Sequence, residues 1–157
     1  MKIILLVVGK TVEKYLEEGI GLYADRLKHY NPFQLQVIPE LRNAKHLSVG
    51  EQKTKEAELI LKEIQKNDFV VLLDEAGKQM GSVEFSNFLQ KCLNQSVQRM
   101  VMIVGGPYGV DEKIKSRAQT TLSFSEMTFS HQMIRLFVTE QIYRAFTILR
   151  NEPYHHV

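Results

Sequence analysis

With one cysteine, Cys92, in 157 residues, the chain can neither close an internal disulfide nor build a cysteine-based zinc site. Cys92 falls on the apolar face of a predicted helix and reads as a buried thiol. The five histidines (His29, His46, His131, His155 and His156) are mostly scattered, so no metal is expected. No glycine-lysine phosphate loop, nucleophile elbow or GxGxxG follows a strand. Nucleotide hydrolysis, serine-type hydrolysis and dinucleotide binding therefore lose support. Long apolar runs are missing too. The longest candidate, Ile3 to Val8, has the length of a strand, too short for a bilayer span or a signal peptide, and a cytoplasmic protein is expected. A net charge of +2 is too mild to announce a nucleic-acid binder by itself, although it leaves room for a local basic surface.

What remains is an ordinary globular composition, 44% hydrophobic and 24% charged, over a length that suits one domain spanning residues 1–157. Met1 to Val8 reads as a strand buried on both faces and closed at Gly9-Lys10. Leu16, Ile20, Tyr23, Leu27 and Tyr30 share one helix face, and Asn31-Pro32 ends that helix. Phe33, Leu35 and Val37 alternate with glutamines as an edge strand stopped at Pro39. Residues 40–55, with Arg42, Lys45, His46, Lys53 and Lys55, read as a basic loop before a helix marked by Ala57, Ile60, Leu61 and Ile64. Phe69 to Asp74 is a third strand, broken by Glu75-Ala-Gly-Lys78. Ser82 is placed as the N-cap of a helix that turns Phe85, Phe88, Leu89 and Cys92 inward.

The apolar run Met100 to Val104 then meets Gly105-Gly106-Pro107, either a plain strand-to-helix turn or one that leaves bare backbone for a ligand. Asp111 is a cap candidate for a short helix, and Thr120 to Phe124 a fifth strand. Ile134, Phe137, Gln141, Ala145 and Ile148 are assigned the core face of a long last helix. Strands alternating with helices imply an α/β fold, a mostly parallel sheet with helices on both faces. Right-handed crossovers place the loops after Val8, Asp74, Val104 and Phe124 at one edge, where a ligand cleft is expected.

The last fifty residues carry polar groups without an obvious structural need. Ser130-His131 precedes a helix, where it serves either as a cap or beside an anion. Glu140 and Arg144 are spaced for a helix ion pair. The tail with Tyr154 and His155 is either frayed or folded back onto a site.

The strings Val104-Gly-Gly-Pro-Tyr-Gly109, Leu122-Ser-Phe-Ser-Glu-Met-Thr-Phe129, His131-Gln-Met-Ile-Arg135, Glu140-Gln-Ile-Tyr-Arg-Ala-Phe146 and Pro153-Tyr-His155 resemble the ribosomal RNA large subunit methyltransferase H family, within the SPOUT superfamily. The resemblance spans the whole chain, and five ordered motifs are far more specific than any one glycine turn. It implies a C-terminal trefoil knot, a homodimer built largely on the last helix, and methylation of N3 of a pseudouridine in large-subunit ribosomal RNA from S-adenosylmethionine. Leu73, Gly105, Phe124, Ser125, Glu126, Met127, Thr128 and Phe129 would line the methyl-donor site. Many relatives have proline where this chain has Ser130, which is expected to loosen the entry to the last helix.

For the chemistry, N3 of the target base must lose its imide proton before or during an in-line displacement. His155 is expected as the base, Tyr154 as the residue that holds the target base, and Arg135 as the cation opposite charge on the uracil ring. Arg42, Lys45, Arg144 and Arg150, pooled over two subunits, would meet phosphates. The alternatives are a catalytically silent RNA-binding or ribosome-assembly module of the same fold, and a related methyltransferase acting on transfer RNA.

Overall fold

A computed structural model describes residues 1–156. Five strands, β1 (Lys2–Val8), β2 (Phe33–Ile38), β3 (Phe69–Gln79), β4 (Arg99–Val104) and β5 (Thr120–Ser123), form one parallel sheet in the order β2-β1-β4-β3-β5. Five helices cover it: α1 (Lys14–Leu27), α2 (Val49–Glu63), α3 (Ser82–Asn94), α4 (Glu112–Arg117) and α5 (Met133–Leu149). Because side chains alternate along a strand, β1 sends Ile3, Leu5 and Val7 to one face and Ile4, Leu6 and Val8 to the other. The first set packs with Leu27 of α1, Phe85, Leu89 and Cys92 of α3, and Val138, Ile142 and Phe146 of α5. The second packs with Ala57 and Ile60 of α2 and Ile114 of α4. The layering is α/β/α, as the doubly apolar strands require.

Several boundaries differ from the sequence reading, each for a local reason. Residues 40–55 are not one loop: a 3-10 turn at Ala44–His46 leads to Ser48, whose hydroxyl accepts from the Glu51 amide while Glu51 reaches back to the Ser48 amide. This capping box starts α2 at Val49. β3 does not stop at Asp74. Leu73 pairs with Leu122, residues 74–77 bulge out, and Lys78 pairs with Leu122 again. Gly77 permits this, because a Cβ there would lie 2.5 Å from the Leu122 carbonyl carbon. Ser82 is the first residue of α3 rather than its cap, and its hydroxyl donates to Gln141 at 3.0 Å. Asp111 does cap α4, accepting from the Lys113 amide.

The core face of α5 is also rotated from the expected one. Val138, Ile142, Ala145 and Phe146 are buried together with Arg135, Thr139 and Thr147, whereas Phe137 is 40% exposed and stacks obliquely on Phe129 at 4.8 Å. Thr139 and Thr147 satisfy their hydroxyls on carbonyls one turn back, Arg135 and Arg144. The pattern was therefore hard to read: buried polar groups sit where periodicity seeks apolar ones. At the entry to the helix, the Ser130 hydroxyl accepts from the Met133 amide at 3.1 Å. Among the described residues, no helix is long and apolar enough to cross a membrane.

Candidate active site

All five strands point the same way, so the ends of β3, β4 and β5 converge on one edge and frame a cleft of about 830 Å³. Its floor is Leu73, Val104, Leu122 and Ile134. One wall is the turn Gly105 to Val110, closed by a bridge between Gly106 and Gly109, and Gly109 takes a φ of +78° that favours glycine. A Cβ on Gly105 would meet Val110 Cγ1 at 2.7 Å, so this wall stands close-packed and bare.

The opposite wall is the segment after β5. Ser123 donates its hydroxyl to the Ser125 carbonyl, and Ser125 accepts from the Met127 amide, which coils the chain tightly before α5. Thr128 donates to Glu75 at 3.1 Å and ties this wall to the β3 bulge, while Asp74 accepts from the Ala76 amide. Lys53 from α2 and Lys115 from α4 reach the rim. His131 also lines the cleft, and burial first, then the Arg135 charge, holds its imidazole below the ordinary value. Among the described residues, no three His, Cys, Asp or Glu side chains are grouped to hold a metal.

A second polar cluster lies outside that cleft. The tail folds back onto α1 and α5 instead of fraying. Tyr30 donates to Glu152, which pushes the Tyr30 phenol up to about 12, and Arg150 lies 4.5 Å above the Tyr30 ring. Tyr154 donates to Glu140 Oε1 at 3.0 Å and lies 3.3 Å from the Tyr23 hydroxyl. Burial, then these two hydrogen-bonded neighbours, raises its ionisation well above the ordinary tyrosine range. Arg144 grips the same Glu140 oxygen through Nε at 3.0 Å and Nη2 at 2.6 Å, stacks on Tyr154 at 4.7 Å, and puts Nη1 3.5 Å from Nδ1 of His155.

The family model for a predicted SPOUT methyltransferase matches residues 1–155. The ribosomal RNA large subunit methyltransferase H of Christiangramia forsetii is 54% identical over 156 residues, and that of Phocaeicola vulgatus 55%, each alignment covering 99% of both chains. The chain belongs to this family of methyltransferases. Among solved structures, the tRNA (m1G37) methyltransferase of Aquifex aeolicus superposes with a TM-score of 0.58 at 17% identity, covering 100% of this chain and 76% of that one. A probable methyltransferase from Bordetella pertussis gives 0.58 at 8%, covering 92% and 94%. At such identities these two show a shared fold alone.

Set against the family's expected donor site, the cleft brings together Leu73, Gly105, Phe124, Ser125, Met127, Thr128 and Phe129. Glu126 is exposed and lies outside the lining. Sequence reasoning missed Lys53 and Lys115 as lining residues, which arrive on α2 and α4 with no motif of their own, and Ile134, which lies within the quoted string His131 to Arg135 but was assigned to the core.

The three residues expected to handle the target base are not in the cleft of their own chain. Arg135, placed against the uracil ring by the sequence reading, is instead fully buried. Its Nη2 donates to the Val8 carbonyl at 2.8 Å, Nη1 to the Gly9 carbonyl at 2.9 Å, and Nε to the His131 carbonyl at 2.9 Å. It therefore clamps the end of β1 to the start of α5. Tyr154, expected against the target base, has its ring covered by Arg144 and Tyr143. Arg144 is likewise engaged by Glu140 rather than free for a phosphate.

Proposed function

We propose that this single-domain enzyme methylates N3 of a pseudouridine in large-subunit ribosomal RNA with S-adenosylmethionine, acting in the cytoplasm as a homodimer with the family's C-terminal knot. The observation that carries the reading is the convergence of three family motifs, with Leu73, on one bare-walled cleft. The cleft suits the donor chemically. Leu73, Leu122 and Phe124 offer apolar faces to a purine, Ser125, Thr128 and the main chain beyond Gly105 offer polar edges, and Asp74 and Glu75 lie beside the space a cation would fill. When bound, the donor supplies an electrophilic methyl on a positively charged sulfur.

The protein's own part is alignment and exclusion of water, by the Gly105 to Val110 wall on one side and Phe124, Met127 and Phe129 on the other. Because Tyr154 and His155 lie away from the cleft of their own chain, a complete site takes its tail from a second copy. Phe129 and Phe137, an exposed aromatic pair beside the cleft, supply an apolar contact for that copy. In this arrangement His155 meets the target base, Tyr154 anchors the tail, and Arg135 acts from beneath by fixing the backbone of His131.

Arg42 and Lys45, exposed before α2, with Lys53 and Lys115 on the rim, form the basic approach for RNA phosphates. The test is methylation of assembled ribosomes with isotope-labelled donor, read by mass spectrometry of ribosomal RNA fragments. A labelled N3-methylpseudouridine in the large-subunit RNA is expected. Absence of calorimetric heat with S-adenosylmethionine, or label only in transfer RNA, overturns the reading.

A further inference from the structure

The geometry around His155 bears on which proton work that imidazole can do. A guanidinium donates hydrogen bonds and accepts none, so a ring nitrogen that bonds one does so as the unprotonated nitrogen. Arg144 Nη1 faces His155 Nδ1 at 3.5 Å, and the rest of the guanidinium is fixed by two bonds to Glu140 and by stacking on Tyr154. The neutral ring then carries its proton on Nε2, the nitrogen directed away from Arg144. The titratable and charged groups of this cluster are Glu140, Tyr143 and Arg144 on α5, Tyr23 and Arg26 on α1, Tyr30 after it, and Tyr154 in the tail. Arg144 keeps its charge here: burial opposes it, but the Glu140 hydrogen bonds and the charge of Glu140 outweigh that.

We propose that His155 serves methyl transfer as a hydrogen-bond donor through Nε2–H, and that Arg144 is the positioning residue that fixes this tautomer. The proposal rests on the reading that the tail meets the target base, and it replaces the base role expected for His155. The lone pair that would take a proton is then the one that faces Arg144, and the other nitrogen has a proton to give. The imide proton of the base therefore leaves to solvent water or hydroxide before the base is enclosed against the donor. Negative charge collects on the ring carbonyl oxygens, where Nε2–H donates to it. N3 of the resulting anion forms a bond to the methyl carbon as the C–S bond breaks, and the electron pair stays on sulfur, leaving a neutral thioether.

Single-turnover methylation of ribosomes at saturating donor, across pH 6 to 9, distinguishes the roles. A donor is imitated by the amide nitrogen of glutamine, a base is not. His155→Ala is expected to lose about 100-fold or more, the size of a missing oxyanion donor, and His155→Gln to recover at least about tenfold of that. The parental rate is expected to climb with pH without levelling in the ordinary imidazole range near about 6.5. Long-range 1H–15N spectra of the free protein are expected to show the Nε2–H tautomer for His155, and a mixture in Arg144→Met.

A plateau near the imidazole range with His155→Gln as slow as His155→Ala overturns the donor role, as does an Nδ1–H tautomer in the parent. His155→Ala at the parental rate would instead sink the reading that the tail acts on the base at all.

Discussion

Removing the Arg135 guanidinium should destabilise the whole fold rather than impair one chemical step. Arg135 is fully buried and holds three main-chain carbonyls, those of Val8, Gly9 and His131, with a weaker bond to Thr11 Oγ1 at 3.3 Å. In Arg135→Met the apolar stem is replaced at similar length, so the loss is mainly hydrogen bonding. Each carbonyl left buried without a donor costs about 1–3 kcal/mol, and the Val8 and Gly9 bonds are the buried ones. Burial already lowers the Arg135 ionisation, so relief from desolvating the charge offsets part of this.

The net expectation is a loss of about 2–5 kcal/mol, which for a domain of this size lowers Tm by about 4–20 °C. Arg135→Lys should recover little, because one ammonium cannot span three carbonyls arranged around a planar fork. The assay is thermal unfolding by circular dichroism at fixed protomer concentration, since any association shifts Tm. A Tm within about 3 °C of the parent, together with a large fall in methylation rate, would refute the clamp and return Arg135 to the target base.

Gly77→Ala should cost about 1–3 kcal/mol by overpacking and weaken calorimetric binding of S-adenosylmethionine, because its Cβ meets the Leu122 backbone at 2.5–2.8 Å. Gly106→Ala meets only a Glu56 carboxylate oxygen at 2.7 Å and should be milder; the opposite ranking would reject the β3 bulge as a support of the cleft. Cys92 is 2% exposed and burial raises its thiol ionisation, so thiol reagents should label it only in unfolded protein. Rapid labelling under native conditions contradicts that burial. Asp111 ionises below the usual carboxylate range, chiefly through the Lys113 amide and then the Thr54 hydroxyl. Its cap is thus intact at neutral pH and lost only as pH falls below about 4. Thr54→Val should raise the Asp111 midpoint in a carboxylate NMR titration, and an unchanged midpoint rules out the Thr54 contact.

The sheet was legible because β1, β3 and β4 bury both faces, so their apolar runs leave no other reading. The edge strand β2 and the cap at Asp111 were legible for similarly local reasons: alternation with glutamines, and a side chain that bonds its own turn. What failed depended on distant partners. Val49 to Lys55 is polar enough to pass for loop until Ser48 and Glu51 are seen to close a box around its start. The core face of α5 was misjudged because Arg135, Thr139 and Thr147 are buried and satisfied by carbonyls that no periodicity reveals.

At the site, glycine at a strand end was a weak local signal, and the family motifs made it specific. The positions of Arg135 and Tyr154 could not be read in full, since each is fixed in part by a group more than a hundred residues earlier in the chain, Val8 for one and Tyr23 for the other.

The clamp at Arg135 also orders events in time. The carbonyls of Val8 and Gly9 are synthesised well before their donor, which follows 127 and 126 residues later. A nascent chain that has made all five strands still lacks the closure of its first one, and contacts of such separation form slowly. The polypeptide therefore reaches its native state only after α5 has been made. Pulse proteolysis of ribosome-stalled chains ending before and after Met133 would show protection of the amino-terminal strand only in the longer ones.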